Sequence, residues 1–267
     1  MEGLQLPSKI EYQAGANERM GTFVLEPLFP GYGTTIGNAL RRVLLSSLPG
    51  AAVTAVRVRN APHEFTTLPQ VQEDILQIIL NLKALRLKVF SSEPVMLNLK
   101  IKGEREVKAS DISPNSDVQI VNQDLTIATL TSRNAELEMD IWVSQGRGYV
   151  PTEVREKEKM DIGTIAIDAL YAPIRQVTFQ IEPARVGQMT NYDKLVFALE
   201  TDGTLSPEVA VAQATAILLD HFTLIQSSLE GVRAATSEAS SGAPEAVGNE
   251  GEGEAAPKKR RRKKPDG

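Results

Sequence analysis

The stretch Gly33-Thr34-Thr35-Ile36-Gly37-Asn38-Ala39-Leu40-Arg41-Arg42-Val43-Leu44-Leu45-Ser46-Ser47-Leu48-Pro49-Gly50 decides the reading of the chain. Its spacing predicts one helix with both ends marked. Thr34 or Thr35 is expected to accept from the first free backbone N–H groups, and Pro49-Gly50 to stop the helix after Leu48. At 100° per residue, Ile36, Ala39, Leu40, Val43, Leu44 and Leu48 cover one half of the helix, a wider apolar arc than a surface helix usually carries. Asn38, Arg41, Arg42 and Leu45 fall on the opposite side. Two readings stand: a core helix with one stray exposed Leu, or a helix with one face for a core or twin helix and the other for a further partner.

Just upstream, Thr22-Phe23-Val24-Leu25-Glu26-Pro27-Leu28 reads as a strand, and Gly31-Tyr32-Gly33 leads into the helix. Strand, glycine turn and helix imitate a dinucleotide-binding fingerprint. The third glycine would fall at Ile36, with Gly37 one place late, and Val53–Arg59 supplies no acidic residue to close a second strand. The nucleotide reading fails on both counts.

The 267 residues have room for one or two domains with a real core. Apolar content of 42% with 24% charged residues is that of an ordinary globular protein. No unbroken run of 18 apolar residues and no basic-then-apolar leader is present, so no membrane span is expected. Zero cysteines exclude disulfides, thiolate metal sites and Cys nucleophiles, in keeping with a reducing compartment. Lys258–Lys264 hold seven of the 29 basic residues, and only Asp266 of the 34 acidic ones follows them. Residues 1–257 therefore carry 22 basic against 33 acidic side chains, a net −11. A body this acidic is a poor duplex binder.

Along the chain, residues 1–20 suggest one weak strand. Val53, Val56 and Val58 begin a strand-rich section in which His63–Thr66 is a hairpin partner. Val71, Ile75, Ile78, Ile79 and Leu82 predict a helix from about Pro69 to Lys83. Strands are expected at 87–90, 95–101, 118–121, 125–130 and 137–143, then at 174–181 and 195–200. Gly146-Arg147-Gly148 reads as a loop, and Glu153–Lys159 as a solvated charged segment. Ser206-Pro207-Glu208 opens a last helix, with Ser as cap and Pro in the first position. Val211, Thr215, Leu218, Phe222, Ile225 and Leu229 recur there in a 4-3-4-3-4 pattern, a seam suited to a core or to a helix–helix interface. From Gly231 to Ala256 the composition predicts disorder. Pro257–Pro265 is a basic tail of the kind that contacts nucleic acid or serves as an import signal, or one that is merely sticky.

Catalytic chemistry finds no footing. His63 and His221 are the only histidines. No His-Glu-x-x-His pair, Gly-x-Ser-x-Gly elbow, Walker A loop or Asp-x-Asp metal pattern occurs. No catalytic residue, cofactor or metal is expected.

Phe23–Leu28 and Gly31–Ser47 resemble, without a gap, the alpha subunit of bacterial-type DNA-directed RNA polymerase. The resemblance continues through Val71–Leu76, Asn81-Leu82-Lys83, Gly146–Pro151, Ala184-Arg185-Val186, Asp193-Lys194-Leu195 and Thr201–Thr204, so that it covers about residues 20–230. It implies an α+β fold of two domains, one inserted into the other. The dimerisation domain would be residues 1–49 plus 174–231, with a strand-rich insert at 50–173 and a linker and tail at 232–267.

The resemblance further implies a non-catalytic homodimer that nucleates the beta and beta-prime subunits for DNA-templated transcription, with omega and sigma in the holoenzyme, in a bacterial cytoplasm. It places Ile36, Leu40, Val43, Leu44, Leu218, Phe222 and Ile225 at the dimer interface. Asn38, Arg41, Arg42, Leu45, Lys83, Ile174 and Lys194 would meet the large subunits, with Arg42 the main contact. Most family members continue into a small DNA-gripping domain. Here the linker runs into the basic tail, and Lys258, Lys259, Arg260, Arg261 and Arg262 are the expected nucleic-acid contacts. Two readings from other classes remain: a free-standing nucleic-acid-binding homodimer using the tail, and a nucleotide-dependent enzyme using Gly31–Gly37.

Overall fold

The computed structural model describes residues 6–155 and 161–240, with side chains as far as residue 230. The fold is α+β, built on two antiparallel four-stranded sheets. The first sheet draws on both ends of the chain: β1 (Lys9–Ala14), β2 (Met20–Leu28), β13 (Ile174–Val186) and β14 (Met189–Thr201), in the order β1-β2-β14-β13. Helix α1 (Tyr32–Ser46) packs on β13 and β14. Leu40, Leu44 and Leu48 join Phe23, Leu195 and Phe197 in one core. Gly37 permits this seating, because a Cβ there would lie 2.7 Å from the Phe179 ring.

The second sheet, β11-β3-β9-β5, comprises β3 (Pro49–Val58), β5 (Val95–Lys102), β9 (Glu136–Arg147) and β11 (Thr164–Ala166). Along β9, Leu137, Met139, Ile141 and Val143 point inward, while Glu136, Glu138, Asp140 and Trp142 alternate outward, as half-buried strands require. Helix α2 (Ile75–Lys83) adds Ile75, Ile78, Ile79 and Leu82 to this separate core. Three short ladders complete it: β4 (Leu87–Val89) with β7 (Val118–Ile120), β6 (Arg105–Lys108) with β8 (Thr126–Leu130), and β10 (Tyr149–Val150) with β12 (Ala169–Leu170). A single turn, α3 (Thr152–Arg155), follows β10.

Helix α4 (Pro207–Ser240) starts as the sequence predicts: Ser206 Oγ accepts from Val209 N at 3.4 Å, with Pro207 in the first turn. Residues up to Asp220 belong to one compact unit, and those from His221 onward to a second. The expected disorder from Gly231 gives way to helix as far as Ser240; the rest of that stretch, and the basic tail, lie outside the described residues.

Several expectations need correction. α2 begins at Ile75 and not at Pro69, because Asp74 caps it by accepting from Gln77 N at 2.7 Å and Gln70 takes a left-handed φ of 65°. His63–Thr66 forms no strand. Gly146-Arg147-Gly148 runs from the end of β9 toward β10 and is no free loop. The last hairpin is far longer than the apolar runs suggested: Glu182–Val186 and Met189–Lys194 pair as well. Both faces of that extension are largely exposed, so no period-2 signal marks it.

Candidate functional site

The helix that opened the sequence reading is held at its start from a distance. Gly31, at φ 87°, precedes α1, and neither Thr34 nor Thr35 caps it. One Asp193 carboxylate oxygen, on β14, accepts from Gly31 N at 2.9 Å and from Gly33 N at 3.1 Å. A negative group at the positive end of the helix is favourable there. It also occupies the N–H groups that a nucleotide phosphate would need, which removes the Gly31–Gly37 nucleotide site on charge as well as spacing.

With its inner face committed to the core, α1 presents Asn38, Arg41 and Arg42 to solvent, and Leu45 is 37% exposed. Among the described residues, no carboxylate lies within ion-pair distance of Arg41 or Arg42, whereas Arg57, Arg59 and Arg105 pair with Asp140, Glu138 and Asp111. The α1 face is thus cationic, with one apolar side chain beside it.

The other expected contact residues sit differently. Lys83 Nζ donates to Asp168 at 3.0 Å, and the second Asp168 oxygen accepts from Thr152 N at 3.1 Å, so this lysine is tied to the segment after β10. The hydrogen bonds from Lys83 and Thr152 hold the Asp168 carboxyl below its ordinary range. Lys194 pairs across the hairpin with Glu182 at 2.9 Å, which raises its pKa. Ile174 is 5% exposed inside the first core. A docking role for Ile174 would act through the position of β13.

Of the expected dimer residues, Leu40 and Leu44 are buried in the chain's own core, and Ile36, Val43 and Leu218 pack half-buried against it. Phe222 and Ile225 are exposed, together with Leu219, Leu224 and Leu229, of which Leu219 and Leu224 lie off the heptad seam. By length and composition Pro207–Glu230 is apolar enough to cross a membrane, contrary to the sequence expectation. Its first turns contribute Ala210 and Ala214 to the protein's own core.

Among the described residues, no group of three or more His, Asp or Glu could hold a metal ion. His63 is exposed, its ring against Thr66 Oγ1 at 3.2 Å.

The family described as RNA polymerase Rpb3/RpoA insert domain matches residues 56–172, the span of the second core. The DNA-directed RNA polymerase subunit alpha of Oceanobacillus iheyensis is 48% identical over 217 residues, covering 81% of this chain and 69% of that protein. The same subunit of Symbiobacterium thermophilum is 49% identical over 231 residues, covering 86% and 73%. With two such relatives aligned across both cores, the chain belongs to the alpha-subunit family of DNA-directed RNA polymerase, a non-catalytic component of the transcribing enzyme.

Proposed function

We propose that this subunit is the assembly scaffold of the polymerase: it homodimerises and nucleates binding of the beta and beta-prime subunits, with omega and sigma joining the holoenzyme in a bacterial cytoplasm. The observation that carries the reading is the division of α1. One face is sealed into the core, and the other offers unpaired Arg41 and Arg42 with Asn38 and Leu45. Arginine suits such an anchor, because its fork grips carboxylates while its stem packs.

The dimer face is the exposed apolar stripe of α4, Phe222, Ile225 and Leu229 with Leu219 and Leu224, adjoining Leu218 in sequence. Ile36 and Val43 lie at its margin, and Leu40 and Leu44 serve it by seating α1. An isologous contact covers such a stripe in both copies at once. The domain division follows the two cores: residues 1–49 with 174–231 for dimerisation, and 50–173 inserted. Lys83, Lys194 and Ile174 set the shape of the docking surfaces. Lys258, Lys259, Arg260, Arg261 and Arg262 supply a sequence-blind DNA contact.

The test is co-purification of wild type and Arg42→Ala with the two largest polymerase subunits, beside sedimentation of each alone. Arg42→Ala is expected to stay dimeric and lose the beta subunit. A monomeric Arg42→Ala would move Arg42 to the dimer seam, and a wild type that binds neither large subunit would end the scaffold reading.

A further inference from the structure

The two cores meet at a polar seam. Among the described residues the buried polar side chains are Thr54, Thr201, Asp202 and Thr204, and three of the four stand together at the end of β14. One Asp202 carboxyl oxygen accepts from Thr204 N at 2.9 Å and from Thr204 Oγ1 at 2.6 Å. Asp202 N donates to Pro173 O at 2.9 Å, so the carboxylate is fixed to the first core.

The other carboxyl oxygen faces Arg86 Nε at 4.0 Å. Arg86 stands between Leu85 and Leu87, both buried in the second core. Its backbone is held on that side: N donates to Asn122 Oδ1 at 2.7 Å, and O accepts from Val121 N at 2.8 Å. Arg86 Nε is buried and has no hydrogen-bond partner among the described residues. Burial pushes the Arg86 pKa down, Asp202 opposes that, and Arg175 adds to it.

We propose that Arg86 and Asp202 form a latch that fixes the angle between the two cores. A buried ion pair adds little net stability, because desolvation offsets attraction. It is highly selective for geometry, since either charge left alone in the seam is heavily penalised. Apolar neighbours tolerate sliding; an opposed charge pair at the limit of ion-pair range does not. The consequence rests on the scaffold reading: a large subunit touching both α1 and the Lys83 side would meet two surfaces at a set spacing. The latch itself does not depend on that reading.

The chain contains no cysteine, so Gln13→Cys on β1 and Glu104→Cys beyond β5 give a clean pair of exposed spin-label sites, one on each core. Pulsed electron paramagnetic resonance is measured on the full chain, diluted with unlabelled protein to suppress distances between copies. Asp202→Asn, which keeps the acceptor for Thr204, and Arg86→Met are each expected to broaden or displace the distance distribution. A second pair within the first sheet, Gln13→Cys with Gln180→Cys, is expected to stay unchanged. A cross-core distribution that either folded variant leaves superimposable on wild type overturns the latch. Should Arg86→Met fail to fold, Asp202→Asn decides. Because no large subunit is present, failure of the docking reading would show separately, as lost co-purification.

Discussion

Asp193 receives the Gly33 N–H at 3.1 Å across 160 positions of sequence, and the start of α1 is set by this contact with β14. Removing the carboxylate in Asp193→Ala leaves two N–H groups of the first turn without it. The expected loss is about 0.5–2 kcal/mol, read as a lower midpoint in chemical denaturation, with Asp193→Asn in between.

Leu44 is fully buried among the residues of the first core. Leu44→Ala is expected to cost roughly 2–5 kcal/mol through lost burial and the cavity left behind. Leu45→Ala, one position on and 37% exposed, should change stability by less than about 0.5 kcal/mol while weakening capture of the large subunit. Denaturation beside co-purification separates the two effects.

Gly37→Ala reverses the usual preference of helices. Alanine ordinarily gains about 1 kcal/mol over glycine, but here its Cβ would stand 2.7 Å from the Phe179 ring. Net destabilisation of about 1–3 kcal/mol is expected. Phe179→Leu should return part of it, a coupling measurable in a double-mutant cycle.

Asp168 gives a pH signature. Its folded pKa lies below the unfolded value because of Lys83 and Thr152. The stability it adds is therefore present above the unfolded value of about 3.9 and is lost as pH falls toward the folded one. The thermal-melting gap between wild type and Asp168→Asn should hold steady from pH 7 to about 5 and narrow below about 4. A gap that grows on acidification would contradict the assignment.

Phe222→Glu and Ile225→Glu place charge on the exposed stripe of α4. Each is expected to shift sedimentation from dimer to monomer without loss of helical signal. An unchanged dimer would assign the interface elsewhere.

The sequence was most legible where a single face is buried. α1, the alternation of β9 and the Ser206-Pro207 start of α4 follow from local period and capping chemistry. It was silent where a distant residue does a local job. Nothing near α1 announces Asp193, and nothing near Lys83 announces Asp168. The α2 start was misplaced because Val71 extends the apolar period backward, although Asp74 with Gln77 three places on carried the better signal. The long hairpin hid because Glu182–Val186 is solvent-facing edge strand, where Pro183 is tolerated. Of the docking residues, exposure of Arg41 and Arg42 was readable from helical phase. The burial of Ile174 was not, since an edge strand shows its inward positions only once its partner is known.

The pairing of β2 with β14 joins Val24 to Val196, 172 positions later. On the ribosome β2 and α1 emerge with their apolar sides finished but uncovered, while the intervening core can close on its own residues. At roughly 5–20 residues per second, the wait for β14 is on the order of ten to thirty seconds. A nascent subunit thus displays sticky half-built surface throughout that interval, and slow translation between residues 50 and 190 would lengthen its exposure to chaperones, proteases and other nascent chains.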